Sequence, residues 1–252
     1  LAKEWTLVLF SLAASGLIAW QAAGVTNNTP ISPIAFILLA LIAIVLTTVH
    51  VGKKFRIWRF ILNIKGSWLS REIVSFSAFF GLGALSLFMK DNLLGIGSLL
   101  SFIDSRVVGI AAIVFGAFTL VSIDMVYKFF IRKDTLHLHS AMVCITGPLL
   151  FAWLANMPLL IGALTLIKAV LYIYRKQSLH KQNVAYRPTI SFIRISTLAL
   201  PYIALITMPM TSLFVLLPFV LLGEIIDRSE FYYESEVRTP QGELSFSQQS
   251  VL

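Results

Sequence analysis

The sequence predicts an all-α integral membrane protein, an eight-transmembrane-helix bundle, from its composition, its hydropathy and its charge distribution. Of its 252 residues, 58% are hydrophobic and 13% are charged, whereas soluble domains average about 25% charged residues. The mean hydropathy is +0.85. No Asp, Glu, Lys or Arg occurs in residues 5–52, 107–123, 135–167 or 195–223. Because a helix needs about 20 mostly apolar residues to cross a bilayer, these runs predict several crossings. They argue against a soluble enzyme and against a disordered chain.

Polar residues and prolines divide the apolar runs into eight predicted spans. The breaks include the polar stretch from Thr26 to Pro30, the Asn156-Met157-Pro158 sequence and Pro209. In chain order the spans cover about residues 5–25, 31–51, from Glu72 to Lys90, 107–127, the two parts of 138–174, 189–208 and 210–227. The first run is too long for a removable signal peptide, so it is predicted to be span one. The spans form one membrane domain over residues 1–229, followed by an acidic C-terminal tail over 230–252 that suits docking or disorder.

The basic residues predict how the bundle lies in the membrane. With eight spans, both termini share one side, side A, with the 2–3, 4–5 and 6–7 connections. These connections hold most of the lysines and arginines, whereas the opposite side, side B, has only Lys90 and Arg106. An excess of Lys and Arg in short loops marks the cytoplasmic face. We therefore expect a multi-pass protein of a bacterial or archaeal cytoplasmic membrane with both termini in the cytoplasm. Alternatively, these bases bind an acidic partner subunit.

The 2–3 connection has its own pattern. Residues 56–62 mix arginines with bulky apolar side chains, which predicts a helix lying in the membrane interface. Trp58 and Trp68 suit the depth of the lipid headgroups. Anionic headgroups are a sufficient partner for such short basic loops, so no nucleic acid is expected.

The chain offers few ligands for a metal or a redox cofactor. Its single cysteine, Cys144, excludes an internal disulfide and argues against an iron–sulfur cluster or a Cys-rich zinc site. The four histidines, His50, His137, His139 and His180, are poorly placed to face one another across the bundle as haem ligands. We therefore expect no haem, no iron–sulfur cluster and no metal site in this chain.

Ionisable residues near the span ends are the best candidates for function, because each is costly in hydrocarbon. His50 and Glu72 both face side A, from two spans that the basic connection joins. A histidine titrates near neutrality, and a neighbouring carboxylate could exchange protons with it. Together with an aromatic wall such as Trp68, this combination suits a quinone.

Lys168 is expected to extend its side chain to side A. Glu224 could form an i,i+4 ion pair with Arg228.

Several short motifs in order along the chain carry a family resemblance. They include His50-Val51-Gly52 followed by Arg56, the stretch from Ser67 to Ile73, Val126-Tyr127, and the stretch from Gly223 to Arg228. With these motifs the chain resembles the membrane anchor subunit of dimethyl sulfoxide reductase and its relatives among the complex molybdenum oxidoreductases.

The resemblance implies a cofactor-free, eight-span subunit of anaerobic respiration that oxidises menaquinol. Its implied partners are an iron–sulfur electron-transfer subunit and a molybdopterin catalytic subunit, which alone would act on the terminal substrate. The implied quinol-site residues are His50, Gly52, Arg56 and Glu72, with His50 and Glu72 as the catalytic proton acceptors. Trp68 is a further expected quinol contact. The matched motifs add Tyr127, Glu224 and Arg228 as secondary candidates.

Two other functions remain open at this point. A small-molecule transporter would also have many spans, but no inverted repeat is evident in the sequence. A purely structural anchor that binds no quinol is the second alternative. The residues alone also leave menaquinol and ubiquinol undistinguished.

Overall fold

The computed structural model describes residues 5–50, 64–130, 138–181, 187–207 and 213–234, and every regular element within these ranges is helical. The eight long helices are α1 Trp5–Thr26, α2 Pro33–His50, α3 Trp68–Lys90, α4 Ser105–Phe130, α5 Val143–Leu154, α6 Pro158–Lys181, α7 Pro188–Thr207 and α8 Leu213–Glu234. A 3₁₀ turn at Leu93–Gly95 and a short helix at Ile96–Leu99 connect α3 with α4. The predicted all-α membrane bundle is confirmed.

The eight long helices fall where the eight spans were predicted. Five of them, α1, α3, α4, α6 and α7, contain stretches long and apolar enough to cross a membrane. Shorter apolar helices lie within α2 and α5. The 12 residues of α5 rise about 18 Å, less than the roughly 30 Å of a bilayer's hydrocarbon core. The number of complete crossings therefore stays a prediction.

The residues at the predicted breaks explain where α5 and α6 meet. Asn156 adopts a φ of 52°, a left-handed conformation that asparagine tolerates better than most residues. Pro158 then opens α6, because proline suits the first position of a helix. The break expected at Pro209 and the interfacial helix expected at 56–62 lie outside the described residues.

The end of α8 extends beyond the predicted domain boundary. The helix continues through Glu234, and Glu230, Phe231 and Tyr232 are buried. The first residues of the predicted acidic tail thus pack within the bundle. Residues 235–252 lie outside the described ranges.

Helix α1 lies between two parts of the bundle, because it contacts α2, α3 and α4 as well as α5 and α8. The apolar core that it shares with α2–α4 contains packed aromatic rings: those of Phe10 and Phe76 are 5.5 Å apart, and those of Phe36 and Phe79 are 5.9 Å apart. Gly83 permits this packing, since a Cβ there would lie 2.9 Å from the Phe36 ring.

The second core joins α1 to α5, α6 and α8 through Leu12, Leu149, Trp153, Ile161 and Val220. Large apolar side chains also cover the outer surface of the bundle. A soluble monomer rarely exposes so much contiguous apolar surface. This outer surface is the one that lipid covers in a membrane protein.

Candidate functional site

Two of the predicted quinol-site residues, Trp68 and Glu72, lie one turn apart at the beginning of α3. Ser67 caps this helix, since its hydroxyl accepts a hydrogen bond from the Ser70 backbone N–H at 3.4 Å. The Arg71 guanidinium stacks over the Trp68 ring, 4.2 Å from its centroid, and donates to the carbonyls of Ile64 and Lys65. These contacts fix the orientation of the tryptophan.

The side chains of the other predicted quinol-site residues lie outside the described part of the structure. His50 ends α2 and Tyr127 lies in α4, but both side chains are outside the described part of the structure. Gly52 and Arg56 lie in residues 51–63, which are also outside it. Whether these residues meet Trp68 and Glu72 therefore stays a prediction.

Glu72 is a buried carboxylate with no partner among the described residues. The residue is 6% exposed, and its side chain makes no hydrogen bond or ion pair with any residue of the described ranges. Ser70, two positions earlier and fully buried, also has a hydroxyl without a hydrogen-bond partner there. Burying such groups unpaired is costly, so they are positioned to receive a partner from elsewhere.

A second polar site contains further buried carboxylates and is called the charge cluster below. It comprises Lys168, Tyr172, Arg175 and Lys176 of α6, Arg194 of α7, and Glu224, Asp227, Glu230 and Glu234 of α8.

Glu224 is the innermost acid of the charge cluster, and both of its oxygens are occupied. Lys168 Nζ lies 2.9 Å from Glu224 Oε2, to which the Thr146 hydroxyl also donates at 2.7 Å. Arg194 Nη2 lies 3.0 Å from Glu224 Oε1. Because both partner cations are as deeply buried as the acid, the charges compensate one another away from water.

Asp227, one helical turn further along α8, is equally well paired. Arg194 Nη2 lies 3.0 Å from Asp227 Oδ2, and Arg175 Nη1 lies 3.0 Å from Asp227 Oδ1. The Ser140 hydroxyl donates to Oδ1 at 2.8 Å. Arg194 therefore bridges Glu224 and Asp227, and it joins α7 to α8.

The outer end of the charge cluster contains further pairs of a cation and a carboxylate. Lys176 contacts both Glu230 and Glu234, and Arg175 Nη2 lies 3.4 Å from Glu230 Oε2. The Tyr172 hydroxyl donates to Glu230 Oε2 at 2.8 Å. Each carboxylate of the cluster thus has at least one cationic partner.

The structure corrects two expectations about these residues. The prediction that Lys168 extends to side A is wrong: the side chain is 0% exposed, because Glu224 holds it inside the bundle. Glu224 pairs with Lys168 and Arg194, and not with Arg228 at i,i+4. Arg175 and Arg194 are buried as well, within α6 and α7.

Arg228 instead faces α1. Its Nη1 donates to the Ser11 hydroxyl at 2.6 Å, while Nε and Nη2 are buried without a hydrogen-bond partner in the described ranges. Near it, the Asp124 carboxylate accepts the backbone N–H groups of Val143 and Cys144 at 2.9 Å each. Asp124 thereby caps the beginning of α5.

His139 lies in the connection between α4 and α5 and stacks on Phe231, with ring centroids 3.9 Å apart. Burial lowers the pKa of His139 to about 3, and the nearby Arg175 charge acts in the same direction. The imidazole is therefore neutral at physiological pH. This makes it a packing residue and argues against a role in proton exchange.

The two sites lie on different sides of α1 at one end of the bundle. Phe10 packs against Phe76, one turn after Glu72 on α3. The adjacent residue, Ser11, contacts Arg228 on α8. The described structure therefore brings Glu224 and Arg228 into the second part of the bundle, and it does not bring them to Trp68 and Glu72.

Sequence reasoning missed the charge cluster as a unit, although a signal was present. Lys168, Arg175 and Lys176 recur at helical spacing on α6, and Glu224, Asp227, Glu230 and Glu234 do so on α8. Two helices that carry opposite charges along one face predict pairing between them.

Comparison with known proteins identifies the family. The sequence profile of the DMSO reductase anchor subunit (DmsC) family matches residues 2–201. No curated protein and no solved structure matches the chain. Because the match spans well over half of the sequence, the chain belongs to the DMSO reductase anchor subunit family. It is therefore a multi-pass membrane anchor for catalytic and electron-transfer subunits. The match includes Glu72 but ends before α8, which supplies the acids of the charge cluster.

Proposed function

We propose that this anchor subunit oxidises a quinol, of the menaquinol type, beside the beginning of α3. Its two electrons pass to an iron–sulfur partner subunit and from there to a molybdopterin catalytic subunit. Membership of the anchor family supports this proposal, since an anchor of a respiratory reductase lies where a lipid-soluble electron donor is available. The same proposal places the chain in a bacterial or archaeal cytoplasmic membrane with both termini in the cytoplasm.

The observation that carries the proposal is the unpaired carboxylate of Glu72. Glu224, Asp227 and Glu230 are each compensated by cations, so they are poor acceptors for a further proton. Glu72 is buried to a similar degree but has no such partner in the described ranges. It is therefore the buried acid best suited to accept a hydrogen bond, and then a proton, from a ligand.

The chemistry requires two proton acceptors and a route for two electrons. Oxidation of a quinol to a quinone breaks two O–H bonds and releases two protons and two electrons. Glu72 accepts one proton and His50 accepts the other, while Arg56 orients the ring oxygen and Gly52 allows close approach of the backbone. Trp68, which Arg71 holds in place, provides an aromatic wall.

The electrons of the quinol pass to a cofactor in a partner subunit. We expect neither haem nor an iron–sulfur cluster in this subunit, because its single cysteine and its dispersed histidines offer no ligand set. The acceptor cluster of the partner then docks on the membrane face near Glu72. The catalytic step on the terminal substrate belongs to the molybdopterin subunit.

The main rival, a small-molecule transporter, needs ionisable groups that a substrate or ion can reach inside the membrane. The charge cluster offers buried charges, but its acids are occupied by Lys168, Arg175, Lys176 and Arg194. This pairing favours a structural role for the cluster over a transport role. A structural anchor without quinol is the other rival, and the experiment below separates it from a quinol-oxidising subunit.

The test is the substitution Glu72→Gln in the assembled complex. It preserves the side-chain shape and removes the proton acceptor. Quinol-driven reduction of the partner's clusters should fall about 10²–10⁴-fold, the range for losing a positioned acid–base group. Activity with a soluble dye that bypasses the membrane subunit should persist. The matched control is Asp91→Asn, an exposed carboxylate at the other end of α3, which should leave both activities unchanged.

His50 provides the second arm of this experiment. His50→Ala should also abolish quinol oxidation while sparing dye-driven activity. Because both residues serve one ligand, the double variant with Glu72→Gln should lose less than the two single losses combined. Full quinol oxidation in both single variants would instead show that the quinol site lies elsewhere. A wild-type complex that neither binds a quinol analogue nor is reduced by quinol would identify a structural anchor.

A further inference from the structure

A cleft of about 180 Å³ with both polar and apolar lining residues opens at the end of the bundle opposite Glu72. It lies where α1, the α1–α2 connection, the end of α3 and the beginning of α4 converge. Its polar lining residues are Gln21, Asn28, Ser86, Lys90, Ser105 and Arg106. Lys90 and Arg106 are the two bases that the sequence assigns to side B. The cleft thus gathers the basic residues of an otherwise charge-poor membrane face.

The floor of the cleft is the carboxamide of Gln21, which is 1% exposed. Its Nε2 donates to the Ser86 hydroxyl oxygen at 2.8 Å. Ser86 in turn donates its own hydrogen to the carbonyl of Gly83 at 2.9 Å, so it can only accept from Gln21. This chain of donors fixes the orientation of the amide. Gln21 Oε1 is consequently a buried acceptor with no hydrogen-bond partner among the described residues.

The mouth of the cleft carries two available cations. Lys90 and Arg106 are both exposed, and neither forms an ion pair within the described ranges. The Arg106 side chain has one weak contact, from Nη2 to the Val25 carbonyl at 3.5 Å. Asp104 is the nearest acid in sequence to Arg106, but its carboxylate accepts the Arg106 backbone N–H at 2.8 Å and caps α4. Neither Asp104 nor Asp91 lines the cleft.

We propose that this cleft binds the headgroup of an anionic phospholipid, with a phosphodiester between Lys90 and Arg106 and a headgroup hydroxyl donating to Gln21 Oε1. Phosphatidylglycerol supplies both groups. The exposed apolar side chains of Val107 and Ile110 continue from the mouth along α4, where acyl chains can pack. Free phosphate shares the anionic chemistry but has no acyl chains. The inference is independent of the proposed quinol site at the other end of the bundle.

The test is lipid binding by the assembled complex in detergent micelles, measured by native mass spectrometry. Wild-type complex is titrated with phosphatidylglycerol and with phosphatidylmethanol, which has the same charge but no headgroup hydroxyl. The double variant Lys90→Ala/Arg106→Ala should bind both lipids about tenfold more weakly, since each base near a membrane surface contributes to attraction of anionic lipid. Ser101→Ala, which replaces an exposed polar residue at the same end of the bundle but outside the cleft lining, is the control and should bind normally.

The Gln21→Met variant tests the floor of the cleft. Wild type should prefer phosphatidylglycerol over phosphatidylmethanol, and Gln21→Met should lose this preference while retaining the attraction to both anions. Unchanged lipid binding in the double variant, whose substitutions are on the surface, would overturn the proposal. Displacement of phosphatidylglycerol by an equal concentration of inorganic phosphate would also overturn it, because the site would then be one for the free ion.

Discussion

The two parts of the bundle on either side of α1 bury their carboxylates in opposite ways. In the part built from α5–α8, Glu224, Asp227 and Glu230 are surrounded by Lys168, Arg175, Lys176 and Arg194. In the part built from α2–α4, the core is apolar and Glu72 is buried without a cation from any described residue. Buried carboxylates therefore have two different environments within one membrane domain.

The difference separates a structural role from a reactive one. A buried ion pair recovers much of the desolvation cost of its charges, and its loss leaves an uncompensated charge. Arg194, Glu224 and Asp227 are thus held in one protonation state, and together with Lys168 and Arg175 they join α6, α7 and α8. For an unpaired buried carboxylate nothing compensates the free-energy cost of desolvation. Binding a proton or a hydrogen-bonding ligand lowers that cost. This contrast is what assigns Glu72, and not Glu224, to the proposed chemistry.

Arg194→Met tests the structural part with the largest expected effect. The substitution removes the cation shared by Glu224 and Asp227, so the free energy of unfolding should fall by about 3–5 kcal/mol. Denaturant titration of the purified complex in micelles measures this loss. Arg106→Met, which replaces an exposed arginine at the start of α4, is the matched control and should change stability little. Equal stability of the two variants would show that the charge cluster is not structural.

A paired substitution sharpens the same comparison. Lys168→Met alone leaves Glu224 with one cationic partner instead of two, so it should destabilise the bundle by a few kcal/mol. The double variant Lys168→Met/Glu224→Gln removes both charges and should recover part of that loss. The same unfolding titration gives the coupling free energy between the two sites. Strictly additive losses would mean that Lys168 and Glu224 do not act as a pair.

His139 gives the smallest of these effects and a dependence on pH. Burial lowers the pKa of its imidazole from 6.5 to about 3, and the charges of Arg175, Lys168 and Arg228 act in the same direction, whereas Asp227 opposes them. In the unfolded chain the His139 imidazole therefore binds a proton below about pH 6.5, whereas in the folded chain it binds one only below about pH 3. Stability should fall as pH decreases through this window, by about 2 kcal/mol at pH 5. His139→Phe should remove this part of the pH dependence, which unfolding titrations at two pH values would detect.

The sequence predicted the helices well because hydropathy and turn residues are local signals. The break at Asn156-Met157-Pro158 separates α5 from α6 as expected, since a left-handed asparagine and a helix-opening proline act on their own backbone. The charge cluster could not be predicted in the same way. Its pairs join residues as far apart as Lys168 and Glu224, and a single lysine near a span end is more often found extended to the interface.

The candidate site was predicted only in part, for a similar reason. The burial of Glu72 and the position of Trp68 at the start of α3 follow from the apolar run and its serine cap. That no described residue pairs with Glu72 could not be read from the sequence, because it depends on which cations the neighbouring helices present. The neighbouring part of the bundle uses its cations within the charge cluster, and this leaves Glu72 unpaired in the described structure.

The most direct test of the account is the infrared difference spectrum of the assembled complex with and without a bound quinol analogue. If Glu72 is the carboxyl group that meets the quinol, the carboxyl stretching band should change when the analogue binds. That change should disappear in Glu72→Gln and persist in Asp91→Asn, because the latter alters an exposed acid at the other end of α3. An identical difference band and identical analogue binding in Glu72→Gln and wild type would contradict the account, and would show that the unpaired acid of α3 is not at the quinol site.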